Sequence, residues 1–229
     1  TYIDPSESTV AKRMKAMGYT TGMVGKWHLT EKEHPSSPSL KVVGEDADPS
    51  DPVVAKKIRD AYDHICDYVG EKMGFDSVAS FYFGNGGVKG NPSALKVHNM
   101  DWVTMGALDF IETSQKDGRP FFLYMAPTIA HGGASDKYLL GDPRATPAGL
   151  LDKAPTVQPS RQDVLRRVKE AGFDVKTARS TWLDDGVGAL LKKLDDLGIA
   201  ENTAVVFVSD HLSRGKYTVY EAARVPALI

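Results

Sequence analysis

The sequence predicts an α/β fold: a mostly parallel, mixed sheet flanked by helices. Three observations carry this. Short apolar runs of strand length recur along the chain, they are continuous rather than alternating, and segments of helical periodicity separate them. Strand–helix alternation of this kind favours parallel strands covered on both faces. At 229 residues, 41% hydrophobic and 25% charged, the chain has the composition of an ordinary globular protein. It has room for one large domain or two small ones. A net charge of −2 gives no electrostatic case for nucleic acid and no polybasic membrane signal. No apolar stretch approaches the ~18–20 residues of a membrane span, and the polar opening "TYIDPSESTV" does not read as a signal peptide. The lone Cys66 cannot form an internal disulfide or a multi-cysteine zinc cluster.

In chain order, "DPSESTVAKRMKAMGY" predicts a short helix capped by Ser6 or Ser8, with Val10, Met14 and Met17 on its apolar face and Gly18 as its stop. "TTGMVG" predicts a strand running into "KWHL". Residues 35–52 hold four prolines and predict a loop. Ile58, Tyr62, Ile65 and Val69 line one face of a helix reaching about Met73. "DSVASFYF" predicts a strand and "GNGGVKGNPS" a loop. "WVTMGALDFIETS" predicts a helix, and "PFFLYMAP" a buried strand ended by Pro127. Residues 128–160 read as a long Gly/Pro-rich loop, and such a loop in a compact domain is often functional. Helices follow at 161–171 and 177–197, the second aligning Leu183, Val187, Leu190, Leu191 and Leu194. "TAVVFVSDH" is the next buried strand, and "VPALI" starts another. There is no internal repeat.

Ligands in open α/β sheets bind beyond the carboxyl ends of the strands. Three predicted strands end in residues able to do chemistry: Lys26 and His28 after the first, His131 after "FFLYMAP", and Asp210 and His211 after "VVFVS", with Lys216 close behind. Lysines suit a tetrahedral anion, sulfate or phosphate. Carboxylate beside imidazole suits a metal. His28 or His131 could protonate a leaving oxygen. Each residue also has an ordinary explanation. A lysine at a strand end is commonly just solvated, a single histidine is commonly a surface or core residue, and Asp210 could cap a helix. Their shared placement at strand ends strengthens the joint reading.

Four segments together resemble the type I sulfatases of the alkaline phosphatase superfamily. They are "ESTVAKRMKAMGYTTGMVGKWHL", "ALDFIETSQKDGRPFFLYMAPTIAH", "LDDGVGALLKKLDDLGIAENTAVVFVSDH" and "GKYTVYEAARVPALI". They stand in family order and span nearly the whole chain. The resemblance implies a sulfatase core with a mixed α/β sheet and a sulfuric ester hydrolase activity. It also implies site roles: Lys26, His28, His131 and Lys216 as catalytic and substrate-binding residues, and Asp210 and His211 as metal ligands. The implied cofactors are a divalent cation, Ca first with Mg, Mn or Zn as alternatives, and a formylglycine nucleophile. The implied partner is a small-molecule or glycan sulfate ester, and the implied location is periplasmic or extracellular.

The chain departs from the family pattern in ways that bear on activity. The family nucleophile arises from the Cys of C-x-P-S-R, ahead of "GKWH". Cys66 stands in "CDYVG", and Pro159-Ser160-Arg161 has Val157 in the cysteine position. The paired acidic residues of the family's first strand are also missing, and Asp184–Asp185 and Asp195–Asp196 sit on a predicted helix instead. Five residues separate Asp210 from Lys216, fewer than in many relatives, and "EAARVP" is one residue shorter than the common form. Residues 1–229 are therefore expected to be a partial catalytic domain, an internal fragment without its first strand or C-terminal subdomain. Alone it is expected to be inactive, with at most weak metal binding. A phosphoesterase or phosphonate hydrolase of the same superfamily, or a non-catalytic binding protein, are the alternative readings.

Overall fold

Three parallel strands organise the fold: β1 (Thr20–Lys26), β2 (Ser77–Tyr82) and β3 (Phe121–Ala126), in the order β2–β1–β3. The structure is a computed structural model and describes residues 3–29, 43–84, 91–129, 135–209 and 227–228. The first six residues of β1 are all buried, which explains why "TTGMVG" reads as an unbroken run rather than an alternating one.

Two helices cover the two faces. Helix α2 (Pro52–Met73) packs Ile65, Val69 and Met73 with Met23, Trp27 and Phe81. Helix α3 (Met100–Lys116) brings Trp102, Val103 and Ala107 to Val24 and Tyr82. Odd residues of β1 thus serve one layer and even residues the other, as a pleated strand requires. Small residues let α3 approach closely. A side chain at Gly22 would collide with the Phe110 ring, and one at Gly106 with Ser80 Oγ.

The helix starts differ from expectation. Pro52 is not loop: it occupies the first turn of α2, behind Asp51, whose carboxylate accepts from Val53 and Val54 N–H. A proline is tolerated there because its missing N–H would have had no helical partner. Helix α1 (Val10–Ala16) is capped by Thr9, not by Ser6 or Ser8, because the Thr9 side chain accepts from Lys12 N–H at 3.1 Å. Val10 and Met17 are exposed, and the short helix docks through Ala11.

Within the expected long loop, residues 135–160 hold more regular structure than expected. Helix α4 (Ser135–Leu139) is followed by a hairpin of β4 (Ala145–Thr146) and β5 (Gly149–Leu150). The hairpin is buried, with Ala145 packed against Ile58 and Leu95. Its polar atoms pair internally, Thr146 Oγ1 donating to Gly149 O at 2.8 Å. Helices α5 (Arg161–Glu170) and α6 (Ala178–Asp196) follow. The buried anchors of α6 are Ala178, Trp182 and Leu194, whereas Leu191, expected on the apolar face, is exposed.

The chain divides into two compact units, Thr1–Leu190 and Leu191–Ile229. The second contains β6 (Phe207–Val208), paired antiparallel with β7 (Ala227–Leu228). Val205 to Val208 were expected in a buried strand but are exposed. β6 is only two residues long, and both of its residues are exposed.

Asp76 ties the amino edge of the sheet together. It accepts from Thr21 N–H at 3.0 Å and pairs with the Lys15 ammonium at 2.6 Å. Burial raises its pKa, but the hydrogen bonds from Lys15 and Thr21 outweigh burial and hold the carboxyl below the usual 3.8. A depressed carboxylate stabilises the fold above its unfolded pKa and loses that contribution as pH falls through the folded value. Asp76→Asn is therefore expected to lower the urea midpoint at neutral pH, with the gap to wild type closing as the pH falls below the ordinary carboxyl value of 3.8. A gap that stays constant into acid would refute this.

Candidate functional site at the end of the central strand

Lys26 closes β1, the central strand, and pairs in register with Tyr82 at the end of β2. The next residue, Trp27, donates its backbone N–H to Tyr82 O at 2.8 Å. Its indole is 7% exposed and meets the edges of Phe75 and Tyr124, with ring centroids 5.7 and 6.3 Å away. His28 is exposed and sits edge-on to Phe83 at 6.0 Å. Trp27 thus anchors the tripeptide in the core between a half-buried lysine and an exposed imidazole. Trp27 turns into packing, on the side opposite its two neighbours, as alternation along an extended segment requires.

Two backbone features just before Lys26 set its direction. Gly25 has φ +89, a conformation open to glycine and costly for other residues. A Cβ there would overlap the Ala126 carbonyl of β3. Opposite it, β2 carries a bulge. Val24 pairs with Ala79 and Gly25 with Phe81, so Ser80 is the extra residue. Ser80 has φ +45, the one positive value for a non-glycine among the described residues. Its hydroxyl donates to Trp102 O at 2.7 Å, which holds the strained residue in place. Bulges increase local twist and re-aim side chains, and they concentrate near active sites. Nothing in "DSVASFYF" marks Ser80 as bulged. Gly25 did carry a signal, since a glycine inside a strand suggests a bulge or close backbone approach.

Of the six predicted site residues, Lys26 and His28 are described, two residues apart in sequence at the end of β1. His131, Asp210, His211 and Lys216 lie outside the described residues. Among the described residues no three His, Cys, Asp or Glu side chains group as a metal centre. Asp185 forms an ion pair with Arg167.

Cys66 is a core residue. It lies in the α2 layer beside Trp27, and burial pushes its thiol up to about 12. Such a thiol is protonated at neutral pH and a poor nucleophile. The Pro159-Ser160-Arg161 triplet has structural work of its own. Ser160 caps α5 by accepting from Asp163 N–H, and Arg161 enters a buried ion pair with Asp101 at 2.7 Å. A shallow cleft lined by Lys15, Asp67, Glu71 and Asp76 opens at the amino edge of the sheet, the edge opposite Lys26.

Comparison with known proteins gives the geometry a family. The chain is 29% identical to an ulvan-active sulfatase of Formosa agariphila, over 92% of this chain and 36% of that protein. It is 28% identical to an arylsulfatase of Hemicentrotus pulcherrimus, over 95% of this chain and 34% of the relative. It is also 28% identical to the N-acetylgalactosamine-6-sulfatase of Mus musculus, over 91% and 34%. The chain therefore spans about a third of the length of these curated relatives. In fold it is similar to the crystal structure of Ps i-CgsB in complex with k-i-k-neocarrahexaose, with a TM-score of 0.50 at 17% identity, covering 92% of this chain and 42% of that one. Residues 1–229 match the Sulfatase family throughout, and the chain belongs to the sulfatase family.

Proposed function

We propose that this chain is the sulfate-binding part of a sulfuric ester hydrolase. The observation that carries the reading is the Lys26–Trp27–His28 arrangement: a cation and an imidazole on either side of a buried indole, at the carboxyl end of the central parallel strand. A half-buried lysine there offsets charge on sulfate oxygens more effectively than a fully solvated one. His28 contacts the ester oxygen, and His131 stands on the leaving-group side as proton donor. Lys216 holds a further sulfate oxygen and bridges toward the nucleophile.

Asp210 and His211 are the residues that would hold a divalent cation, with Ca the first candidate. Carboxylate and imidazole are both competent donors but supply two ligands of the ~6–8 that Ca takes. When bound, the cation would neutralise developing negative charge. A formylglycine nucleophile belongs to the same reading, although these 229 residues contain no C-x-P-S-R. The substrate class is a small-molecule or glycan sulfate ester, a reading supported by a relative whose name refers to N-acetylgalactosamine. A periplasmic or extracellular site of action fits that class. No helix among the described residues is long and apolar enough to cross a membrane.

Isothermal titration of the chain with sodium sulfate tests the reading. Saturable binding is expected, weakened about tenfold in Lys26→Ala, as the loss of one charge-assisted contact implies. Equal binding by wild type and Lys26→Ala would remove Lys26 from the site. Clear preference for phosphate over sulfate would favour phosphoester chemistry instead.

A further inference from the structure

Behind the Lys26 end of β1 lies a closed network of buried polar groups. Tyr82 is fully buried, and its hydroxyl accepts from Asn99 N–H at 2.9 Å. The Asn99 side-chain oxygen accepts from Arg161 Nη2 at 2.9 Å and from Trp102 N–H at 3.1 Å. Arg161 Nε donates to Asp101 Oδ2 at 2.7 Å, and Arg161 Nη1 donates to Tyr138 O at 3.0 Å. Asp101 Oδ1 accepts from Trp182 Nε1 at 2.7 Å, and the guanidinium lies 4.9 Å from the Trp182 ring centroid. Tyr82, Asn99, Asp101, Arg161 and Trp182 are each at most 6% exposed.

A buried ionic network is a poor source of net stability, because desolvation consumes most of its attraction. Its geometry is its contribution: a planar guanidinium with several fixed partners locks the elements that supply them. Here those elements are the start of α3, helix α4, helix α5, helix α6 and the end of β2. The path then reaches the site in one step, since the residue whose hydroxyl ends the network also holds, through its carbonyl, the N–H of Trp27. Lys26 and His28 flank that residue.

We infer that the Tyr82–Asn99–Arg161–Asp101 network is a positioning device for Lys26 and His28, an inference that rests on the sulfate-binding reading of those two residues. Tyr82 is a positioning residue: it fixes the backbone between them without itself contacting the anion. The strand end emerges from a bulge and a positive-φ glycine, so the ladder alone leaves its direction weakly specified. The Tyr82 ring, clamped at its hydroxyl and packed edge-on against Trp102 at 5.6 Å, adds a second constraint to the anchoring by the Trp27 indole.

Tyr82→Phe keeps the ring and removes only the clamp. The experiment measures three quantities on the whole chain: sulfate affinity by titration, the His28 ring-proton shifts by NMR, and the urea midpoint. The Phe83 ring beside His28 makes those shifts sensitive to its orientation. Ile58→Val, in a separate cluster with Leu95 and Ala145, serves as a control for simple loss of stability. Tyr82→Phe is expected to weaken sulfate binding about tenfold, the scale on which small misplacements act. It is also expected to move the His28 resonances in protein that remains folded, while Ile58→Val changes neither. Arg161→Lys keeps the charge but not the fork, and should give the same two changes. If Tyr82→Phe lowers the midpoint yet leaves sulfate affinity and His28 shifts at wild-type values, the network is structural only and the inference fails. If wild type binds no sulfate, or binds it independently of Lys26, the sulfate-binding reading fails and the inference with it; the wild-type and Lys26→Ala titrations separate that case from the first.

Discussion

Gly25→Ala is expected to be the most damaging single-methyl change in the described sheet. Two costs add at this residue. The backbone sits at φ +89, and the left-handed region costs a non-glycine residue about 1–2 kcal/mol. The new Cβ would also overlap Ala126 O, a backbone atom of the adjoining strand that no side-chain rotation can move aside. Forcing extra volume into such a place typically costs about 1–3 kcal/mol more. Together they take a large part of a typical stability of about 5–15 kcal/mol. The urea midpoint should fall by about 1 M or more, given slopes of roughly 1–3 kcal/mol per M. Gly118→Ala provides the comparison, because Gly118 has φ +67 but nothing within 4 Å of a built Cβ. It should lose only the backbone contribution. Equal losses at the two positions would mean that the approach to Ala126 is not tight, and that Gly25 is set by backbone conformation alone.

The same residue shows how far the sequence could be read. The central strand was legible because the first six residues of β1 are buried on both faces and leave an unbroken run. β3, expected to be buried from "FFLYMA", is only half-buried, with Tyr124 exposed, because it lies at the edge of the described three-stranded sheet. The α2 layer was legible because Ile58, Ile65 and Val69 repeat with the period of a helix and are all buried. The position of Lys26 and His28 at the carboxyl end of β1 was legible because both follow directly on the unbroken run of that strand. The bulge was not legible. Ser80 takes its strained conformation from the Trp102 carbonyl it donates to, which is 22 residues distant, and from the space that Gly106 leaves for it. Tertiary contacts of this kind leave no local pattern.

The hairpin at 145–150 was missed for a related reason. Two-residue strands have no measurable period, and Pro and Gly dominate their surroundings. Arg161 gave the opposite difficulty. In sequence it looked like part of a stray Pro-Ser-Arg triplet, yet it is among the most buried charges described. Its partner Asp101 is 60 residues away, so neither charge pointed to the other. Trp182 escaped notice because the leucines of α6 suggested a different apolar face. Its indole is 1% exposed, and it packs with Met100, Leu139, Val164 and Val168.

Asp101→Ala is expected to cost about 3–5 kcal/mol, the scale for breaking a buried pair from one side. The substitution strands two groups at once. The Arg161 guanidinium keeps Asn99 Oδ1 and Tyr138 O as acceptors but loses its counter-charge. Trp182 Nε1–H loses its acceptor in a site closed to water. Replacing both members of the pair removes the uncompensated charge, so Asp101→Leu combined with Arg161→Met should recover a substantial part of the loss. Full recovery is not expected. Trp182 Nε1–H still lacks its acceptor in the double variant, and Tyr138 O and Asn99 Oδ1 each lose a donor. Double-mutant cycles from urea denaturation decide the matter, with a coupling of about 1–3 kcal/mol expected for residues in direct contact. If the two single substitutions simply add, Arg161 and Asp101 do not act as a pair. The Arg161 side chain would then be held by its carbonyl acceptors and the Trp182 ring alone. A double variant that recovers stability offers one more distinction. It retains the hydrophobic anchoring of α5 and α6 but not the fixed fork on Asn99, so a stable fold with loosened His28 resonances would separate holding the domain together from aiming the strand end.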